Sequence, residues 1–177
     1  IVRPTGEIRH LHIVALEKNT EESIFGVTKD ITESKKIEEE SLRLKDNYER
    51  LFDNATVSIW NEDFSYFLKE IEELKKTNIS DINLYLEENS EVLFSLLEKI
   101  KVNKVNKATL KLFEAKNKEI FLNNVPETFG TGASKVFRDF VTSTWNNETS
   151  FTSEINYKTL KGVEFAAIVS IPIPQTE

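Results

Sequence analysis

The sequence has no cysteine and no methionine, and it contains only five glycines and four prolines among 177 residues. Without cysteine the chain can form no disulfide, thiol nucleophile or thiolate-ligated metal site, which is typical of a cytoplasmic protein. No apolar run approaches the roughly 18–20 residues of a membrane span, and charges interrupt any apolar stretch near the N-terminus. We therefore expect neither membrane contact nor a signal peptide. Because the chain starts at Ile1 and lacks methionine, we expect a piece of a longer protein.

The sequence also has no excess of basic residues. The formal net charge is −7, whereas a nucleic-acid-binding protein generally has a basic surface. The sequence has no G-x-S-x-G, H-E-x-x-H or phosphate-loop motif, and its acidic pairs are sequence neighbours that diverge on a helix. We expect no nucleic-acid partner and no catalytic activity. The 39% of apolar residues, with 12 phenylalanines, are enough for a packed core.

The pattern of apolar residues divides the chain into three segments of an α+β protein. Residues 1–32 predict a three-stranded β-meander without a covering helix, and residues 33–52 predict a single helix. Residues 53–177 predict a mixed domain, with strands at 57–60, 101–105, 151–157 and 163–173. Polar residues mark the starts of its helices: Asp63, Ser80 or Asp81, Ser90, Asn106, Asn117 and Ser134.

The middle segment carries an apolar seam with heptad spacing. Ile37, Leu44, Tyr48 and Leu51 recur, with Ser41 between them, at intervals of four and three residues. The run is shorter than the three or four heptads that identify a coiled coil. It is therefore either a solvated connecting helix or a helix that pairs with its twin. We predict a homodimer formed through this seam.

Two motifs near the N-terminus resemble the PAC motif, the C-terminal half of a PAS sensor domain. G-V-T-K-D-I-T-E-S-K at 26–35 resembles the family ending G-x-x-x-D-I-T-E-R-K. R-P-T-G-E-I-R-H-L-H at 3–12 resembles the family hairpin R-x-D-G-x-x-R-W-x, with Thr5 in place of the usual aspartate. These residues are similar to the end of a first PAS domain.

Three further motifs resemble a second PAS domain. Residues 48–55, Y-E-R-L-F-D-N-A, are similar to the family opening Y-R-x-L-F-E-N-A. Residues 106–113, N-K-A-T-L-K-L-F, are similar to the family helix N-x-A-x-x-x-L-F. I-W-N-E-D-F-S at 59–65 resembles the W-E-E-D-F-S insert of some PAS domains in bacterial and archaeal sensor kinases. About 40 helical residues then replace the usual tight turn between the first two strands.

The resemblance implies a PAS-like antiparallel sheet covered by helices, with a helical insert. It also implies a partial PAS β-meander and a signalling helix before that domain. A PAS sheet has five strands with the last one central, whereas residues 53–177 supply four. We therefore predict that part of residues 1–31 pairs with a sheet of the second domain, in the same chain or in a twin; otherwise the gap stays open.

The resemblance implies a sensory input module of a multidomain protein. A two-component histidine kinase is the preferred parent, and a diguanylate cyclase or phosphodiesterase is the alternative, each with a downstream effector domain. In this family Asp30 would tie the sheet to the helix and Thr32 would cap the helix. From other classes, a small α+β enzyme and a ligand-free dimerisation module stay open.

Residue types limit the ligand that such a module can hold. A flavin–thiol adduct is excluded because there is no cysteine, and haem is disfavoured because the only histidines, His10 and His12, lie in a predicted strand. These two histidines either bind a metal or, as we prefer, lie on a solvated face. No cofactor is identified, and a small-molecule ligand stays open. Its pocket candidates are Trp60, Asn106, Phe113, Phe121, Phe137, Phe140, Trp145 and Phe165.

The same candidates can instead fill the core, because aromatic residues at helical spacing usually pack inside a domain. For Trp60 and Trp145 we predict a core position and not the rim of a binding site.

Overall fold

The computed structural model describes residues 6–17 and 24–175 of an α+β chain. The chain divides into two compact units, Ile1–Phe52 and Asp53–Glu177. Each unit has its own strands, and the candidate ligand residues all fall in the second unit. The two units are therefore considered separately below.

The first unit consists of a β-hairpin followed by a long helix. Strands β1 (Leu11–Glu17) and β2 (Ile24–Asp30) pair in antiparallel fashion, with Leu11 opposite Asp30. Helix α1 (Thr32–Asn54) follows at once and has 23 residues. Residues 6–17 and 24–31 contain two of the three predicted strands of the meander. The prediction for residues 1–5 lies outside the described part of the chain. Pairing of residues 1–31 with a twin chain stays a prediction.

The second unit contains four strands and six α-helices in its described residues. Its strands are β3 (Trp60–Asp63), β4 (Lys101–Val105), β5 (Ser150–Lys158) and β6 (Glu164–Pro172). Its α-helices are α2 (Ser65–Lys75), α3 (Ile82–Glu88), α4 (Ser90–Leu97), α5 (Lys107–Leu112), α6 (Lys118–Asn123) and α7 (Ala133–Trp145). A short 3₁₀ helix, Val125–Thr128, precedes α7.

Side-chain caps explain where several of these short helices begin. Asp81, Asn106 and Asn117 precede α3, α5 and α6, and each side chain accepts a hydrogen bond from the backbone N–H three residues later. The prediction that Ser134 caps α7 was wrong. That helix begins after Gly132, whose φ of 83° is a left-handed conformation that glycine adopts without strain.

The strands of the second unit form two separate antiparallel pairs, β3–β4 and β5–β6. Within residues 53–175 no ladder joins the two pairs, so a single PAS-like sheet is not confirmed; two separate pairs are also what the predicted lack of a central last strand allows. The first strand also begins later than predicted. The ladder of β3 starts at Trp60, and the backbone of Val57 and Ile59 before it bonds to the Asn106 side chain.

Two apolar clusters form the core of this unit. The larger cluster joins the insert helices α2, α3 and α4 to α7, with Phe67, Ile71, Leu86 and Val141 almost completely buried. The smaller cluster consists of Val105, Phe113 and Phe121, and the aromatic rings of β3, β5 and β6 pack against it. The helical insert is thus part of the hydrophobic core and not an external addition.

Within the described residues, none of the helices has the length and apolar character that a membrane span requires. The longest of them, α1, is rich in charged residues along its whole length.

Candidate functional site

The second unit contains an open cleft of about 1290 Å³. Residues from all four strands and from helices α4 to α7 line it. Ligand pockets in proteins usually measure about 300–1,000 Å³, so the cleft has room for a small organic molecule. Its position between elements of both strand pairs makes it the candidate functional site of this unit.

Four of the eight predicted pocket residues line this cleft: Trp60, Phe113, Phe137 and Phe140. The Trp60 ring lies 5.8 Å from the Phe113 ring and 6.3 Å from the Tyr157 ring, measured between centroids. Trp60 is half-buried, because it packs against the smaller core cluster and also borders the cleft. Its packing on the core cluster agrees with the predicted core position, and whether it also borders a binding site stays open.

The other four candidates lie outside the cleft lining. Phe121 is completely buried behind the Trp60 ring, at 5.2 Å between centroids, and Phe165 packs against the smaller cluster from β6. Trp145 is half-buried against the larger cluster. These three aromatic residues support the walls of the cleft without facing it.

Asn106 was predicted as a polar contact for a ligand, and this prediction was wrong. Its side chain is completely buried and already bonded. Oδ1 accepts hydrogen bonds from Ile59 N, Thr109 N and Thr109 Oγ1, at 3.1, 3.0 and 2.9 Å, and Nδ2 donates to Val57 O at 2.8 Å. The amide therefore joins residues 57–59 to the start of α5, and its complete burial outside the cleft lining keeps it away from a ligand.

Glu62 and Tyr157 line the cleft although neither was among the predicted site residues. Glu62 follows Trp60 by two positions on β3, so both side chains lie on the same face of the strand. Alternation along 60–63 could therefore have identified it from the sequence.

A β-bulge sets the surroundings of Glu62. Trp60 pairs with Val105 and Glu62 pairs with Val102, so one residue of β3 faces two residues of β4 between these pairs. In a regular register without the bulge, the polar Asn103 would stand opposite Glu62. The bulge instead places the carboxyl beside valine on an apolar wall.

This apolar wall perturbs the ionisation of the groups that line it. Burial raises the pKa of the Glu62 carboxyl to about 7, because desolvation disfavours its charged form. Burial, followed by the charge of Glu62, raises the pKa of the Tyr157 hydroxyl to about 12. Glu62 is therefore a carboxyl that changes its charge near neutral pH inside a ligand-sized cleft.

The first unit contains the predicted relay residues, Asp30 and Thr32, and they bond to each other. Asp30 Oδ1 accepts from Thr32 N at 3.0 Å and from Thr32 Oγ1 at 2.6 Å, and Oδ2 accepts from Arg9 Nη1 at 2.7 Å. Thr32 Oγ1 in turn accepts from His10 N at 2.8 Å. Asp30, rather than the predicted Thr32, thus caps the first N–H of α1, and Thr32 connects the helix to the chain that enters β1.

The hydrogen bonds from Thr32, followed by that from Arg9, hold the pKa of Asp30 well below its usual range. A carboxyl whose pKa is lower in the folded state stabilises that state above its unfolded pKa of about 3.9, and this stabilisation is lost as pH falls further. The junction between β2 and α1 should therefore weaken in acid.

We expect Asp30→Ala to accelerate hydrogen exchange at the Thr32 amide several-fold at neutral pH, because this N–H loses its acceptor. Heteronuclear NMR of the full chain measures this exchange. Asp46→Ala, at an exposed aspartate farther along α1, is the matched control and should leave it unchanged. Equal exchange in all three proteins would show that Asp30 does not tie the hairpin to the helix.

The predicted seam of α1 is exposed in the structure. Ile37, Leu44, Tyr48 and Leu51 are between 50% and 75% exposed. Tyr48 also stacks on Phe52, at 5.9 Å between ring centroids. The structure therefore places the four seam residues on a helix with a solvent-accessible apolar face.

Comparison with known proteins found no relative of this chain: no family model matches it, and no curated protein or solved structure is similar to it. Among the described residues, no three histidine, aspartate or glutamate side chains gather in a group that could hold a metal ion.

Proposed function

We propose that this chain is a sensory input module of a multidomain signalling protein. The preferred parent is a two-component histidine kinase. A diguanylate cyclase or phosphodiesterase is the alternative parent. In this proposal residues 1–32 end one PAS domain, α1 is the signalling helix, and residues 53–177 are a second PAS domain without its last strand. The motifs at 26–35, 48–55 and 106–113 and the order of strands and helices support it.

The observation that carries the proposal is the apolar seam of α1, which begins one turn after a bonded junction. Leucine, isoleucine and tyrosine side chains on one face of this helix are exposed to water. Burying such apolar surface stabilises a protein by about 25 cal/mol for each Å². Pairing of two such helices buries this surface. A paired helix tied to a hairpin through Asp30 and Thr32 would transmit a movement of the hairpin to the dimer axis.

The cleft of the second unit favours a ligand-binding module over a ligand-free dimerisation module. It is larger than the usual ligand pocket and is lined mainly by apolar and aromatic residues, with few polar groups among them. A module that only dimerises has no need for such a site. We therefore propose that a small molecule bound there supplies the signal.

Replacing Leu44 with glutamate tests the role of the seam. We expect Leu44→Glu to weaken dimerisation at least about tenfold, because a charge would be buried in the helix pair. Sedimentation velocity over a range of protein concentrations measures the change. The matched control is Leu42→Glu, since Leu42 and Leu44 are 61% and 60% exposed on the same helix but only Leu44 lies in the seam.

Leu42→Glu should remain dimeric, because two positions along a helix turn the side chain by about 200° and away from the seam. A wild-type protein that sediments as a monomer at all concentrations would overturn the proposed relay. The same conclusion would follow if Leu42→Glu and Leu44→Glu weakened the dimer equally.

A further inference from the structure

The Glu62 carboxyl lies in the cleft without a protein partner. Burial alone accounts for its raised pKa, and among residues 6–17 and 24–175 no donor forms a hydrogen bond or ion pair with it. A half-buried acid on an apolar wall is costly to the folded state unless a ligand compensates it. The neighbouring aromatic groups, Trp60 and Tyr157, border the same cleft.

Carboxyl groups outnumber ammonium groups in and beside the cleft. Besides Glu62, the lining contains Glu98 after α4, Lys101 on β4 and Tyr157 on β5. Lys101 stands opposite Asp63 in the β3–β4 pair, and its charge helps to lower the pKa of Asp63. Two carboxyl groups thus line the cleft together with one ammonium group, which is placed beside a third carboxyl.

We propose that the cleft binds an organic cation, a protonated amine on an aromatic or otherwise apolar body, with the amine held by Glu62. The proposal rests on the ligand-binding function proposed above and adds the chemical class of the ligand. The apolar body would lie against Trp60 and Phe137, and the Trp60 and Tyr157 rings offer electron-rich faces to the cation. An anion would instead be repelled by the carboxylates of Glu62 and Glu98.

Binding of such a cation must be linked to the ionisation of Glu62. The free carboxyl, with a pKa of about 7, is mostly protonated at pH 6 and mostly ionised at pH 8. A bound ammonium group favours the ionised form and lowers this pKa, so binding releases protons at neutral pH. The affinity should therefore rise about tenfold between about pH 6 and about pH 8.

Isothermal titration calorimetry of the full chain with three matched probes tests this proposal. 2-Phenylethylamine carries the cation, 2-phenylethanol is neutral, and 3-phenylpropionate carries the opposite charge on a similar body. We expect the amine to bind more tightly than the alcohol, the propionate to bind most weakly, and only the amine to show the rise in affinity with pH.

Glu62→Gln keeps the size of the side chain and removes its charge. This variant should bind the amine at least about tenfold more weakly and without the pH dependence. Glu91→Gln, at an exposed carboxyl of α4 that does not line the cleft, is the matched control and should keep both properties. Measured buffer-ionisation heats give the protons released by each variant.

The proposal is overturned if the propionate or the alcohol binds as tightly as the amine, if Glu62→Gln binds the amine as well as the wild type, or if no amine binding is detected. Tight binding of the alcohol or the propionate would still support a ligand-binding module. The dimer relay of the proposed function is decided separately by the Leu44→Glu and Leu42→Glu pair.

Discussion

Replacing Asn106 with alanine should lower the free energy of unfolding of the second unit by about 3–5 kcal/mol. The buried amide makes four side-chain hydrogen bonds, to Val57, Ile59 and Thr109. Alanine leaves Val57 O, Ile59 N and Thr109 N without this partner, whereas the Thr109 hydroxyl keeps its bond with the Ser58 hydroxyl at 2.8 Å. An unsatisfied buried group costs about 1–3 kcal/mol. Because a typical domain is stable by only about 5–15 kcal/mol, much of its stability would be lost.

Asn117→Ala provides a matched control. Both asparagines cap helices of six residues, α5 and α6, through a bond to the N–H three residues later. Asn117 is exposed, and within the described part of the chain its side chain accepts one bond, from Ile120 N at 2.8 Å. Its loss should cost about 1 kcal/mol, the usual value for a helix cap.

Guanidinium unfolding followed by tryptophan fluorescence measures both variants. The chain has two tryptophans, Trp60 and Trp145, and both lie in the second unit, so the signal reports on that unit. Similar costs for Asn106→Ala and Asn117→Ala would mean that Asn106 acts as an ordinary cap and does not hold residues 57–59 in place.

Features set by neighbouring residues could be predicted from the sequence. Strand β4 occupies Lys101–Val105, where alternation of apolar and polar residues predicts it. The β5–β6 hairpin turns at Gly162, which has the positive φ of 88° expected of a glycine in a tight turn. In both cases the pattern and the structure depend on the same few residues.

Features set by residues distant along the chain could not be predicted in this way. Asn106 bonds to Val57 and Ile59, which precede it by 49 and 47 residues, and nothing in its own helix motif indicates that contact. A polar residue that opens a helix thus has a structural role, although its family motif suggested a place in a pocket.

The sequence also could not show which aromatic residues line the cleft. Phe113 and Phe121 are equally buried and belong to the same cluster, yet only Phe113 borders the cleft. Helical periodicity identifies both as apolar positions and cannot say which ring lies behind the other. Alternation along β3 places Glu62 on the face of Trp60, but its cross-strand partner Val102 depends on a bulge in β4, which the sequence of that strand does not mark.

Replacing Phe113 with alanine should also cost about 3–5 kcal/mol of unfolding free energy, the usual range for a buried phenylalanine. Its side chain is 1% exposed. Four rings surround it at centroid distances of 5.2 to 5.8 Å, those of Trp60, Phe121, Tyr157 and Phe165. Such aromatic pairs add about 0.5–1.5 kcal/mol each beyond the burial of apolar area, so a cost near the upper end is expected.

Phe94→Ala is the control for this change, because Phe94 lines the same cleft but is 49% exposed. It should cost no more than about 1 kcal/mol, since little apolar area is lost from the core. Denaturant unfolding of the two variants under identical conditions compares them, and equal costs would place Phe113 outside the core. Because Phe113 contacts both Trp60 and Tyr157, its loss should also free the two rings that flank Glu62. A residue that stabilises the fold thus also shapes the wall on which the proposed amine site depends.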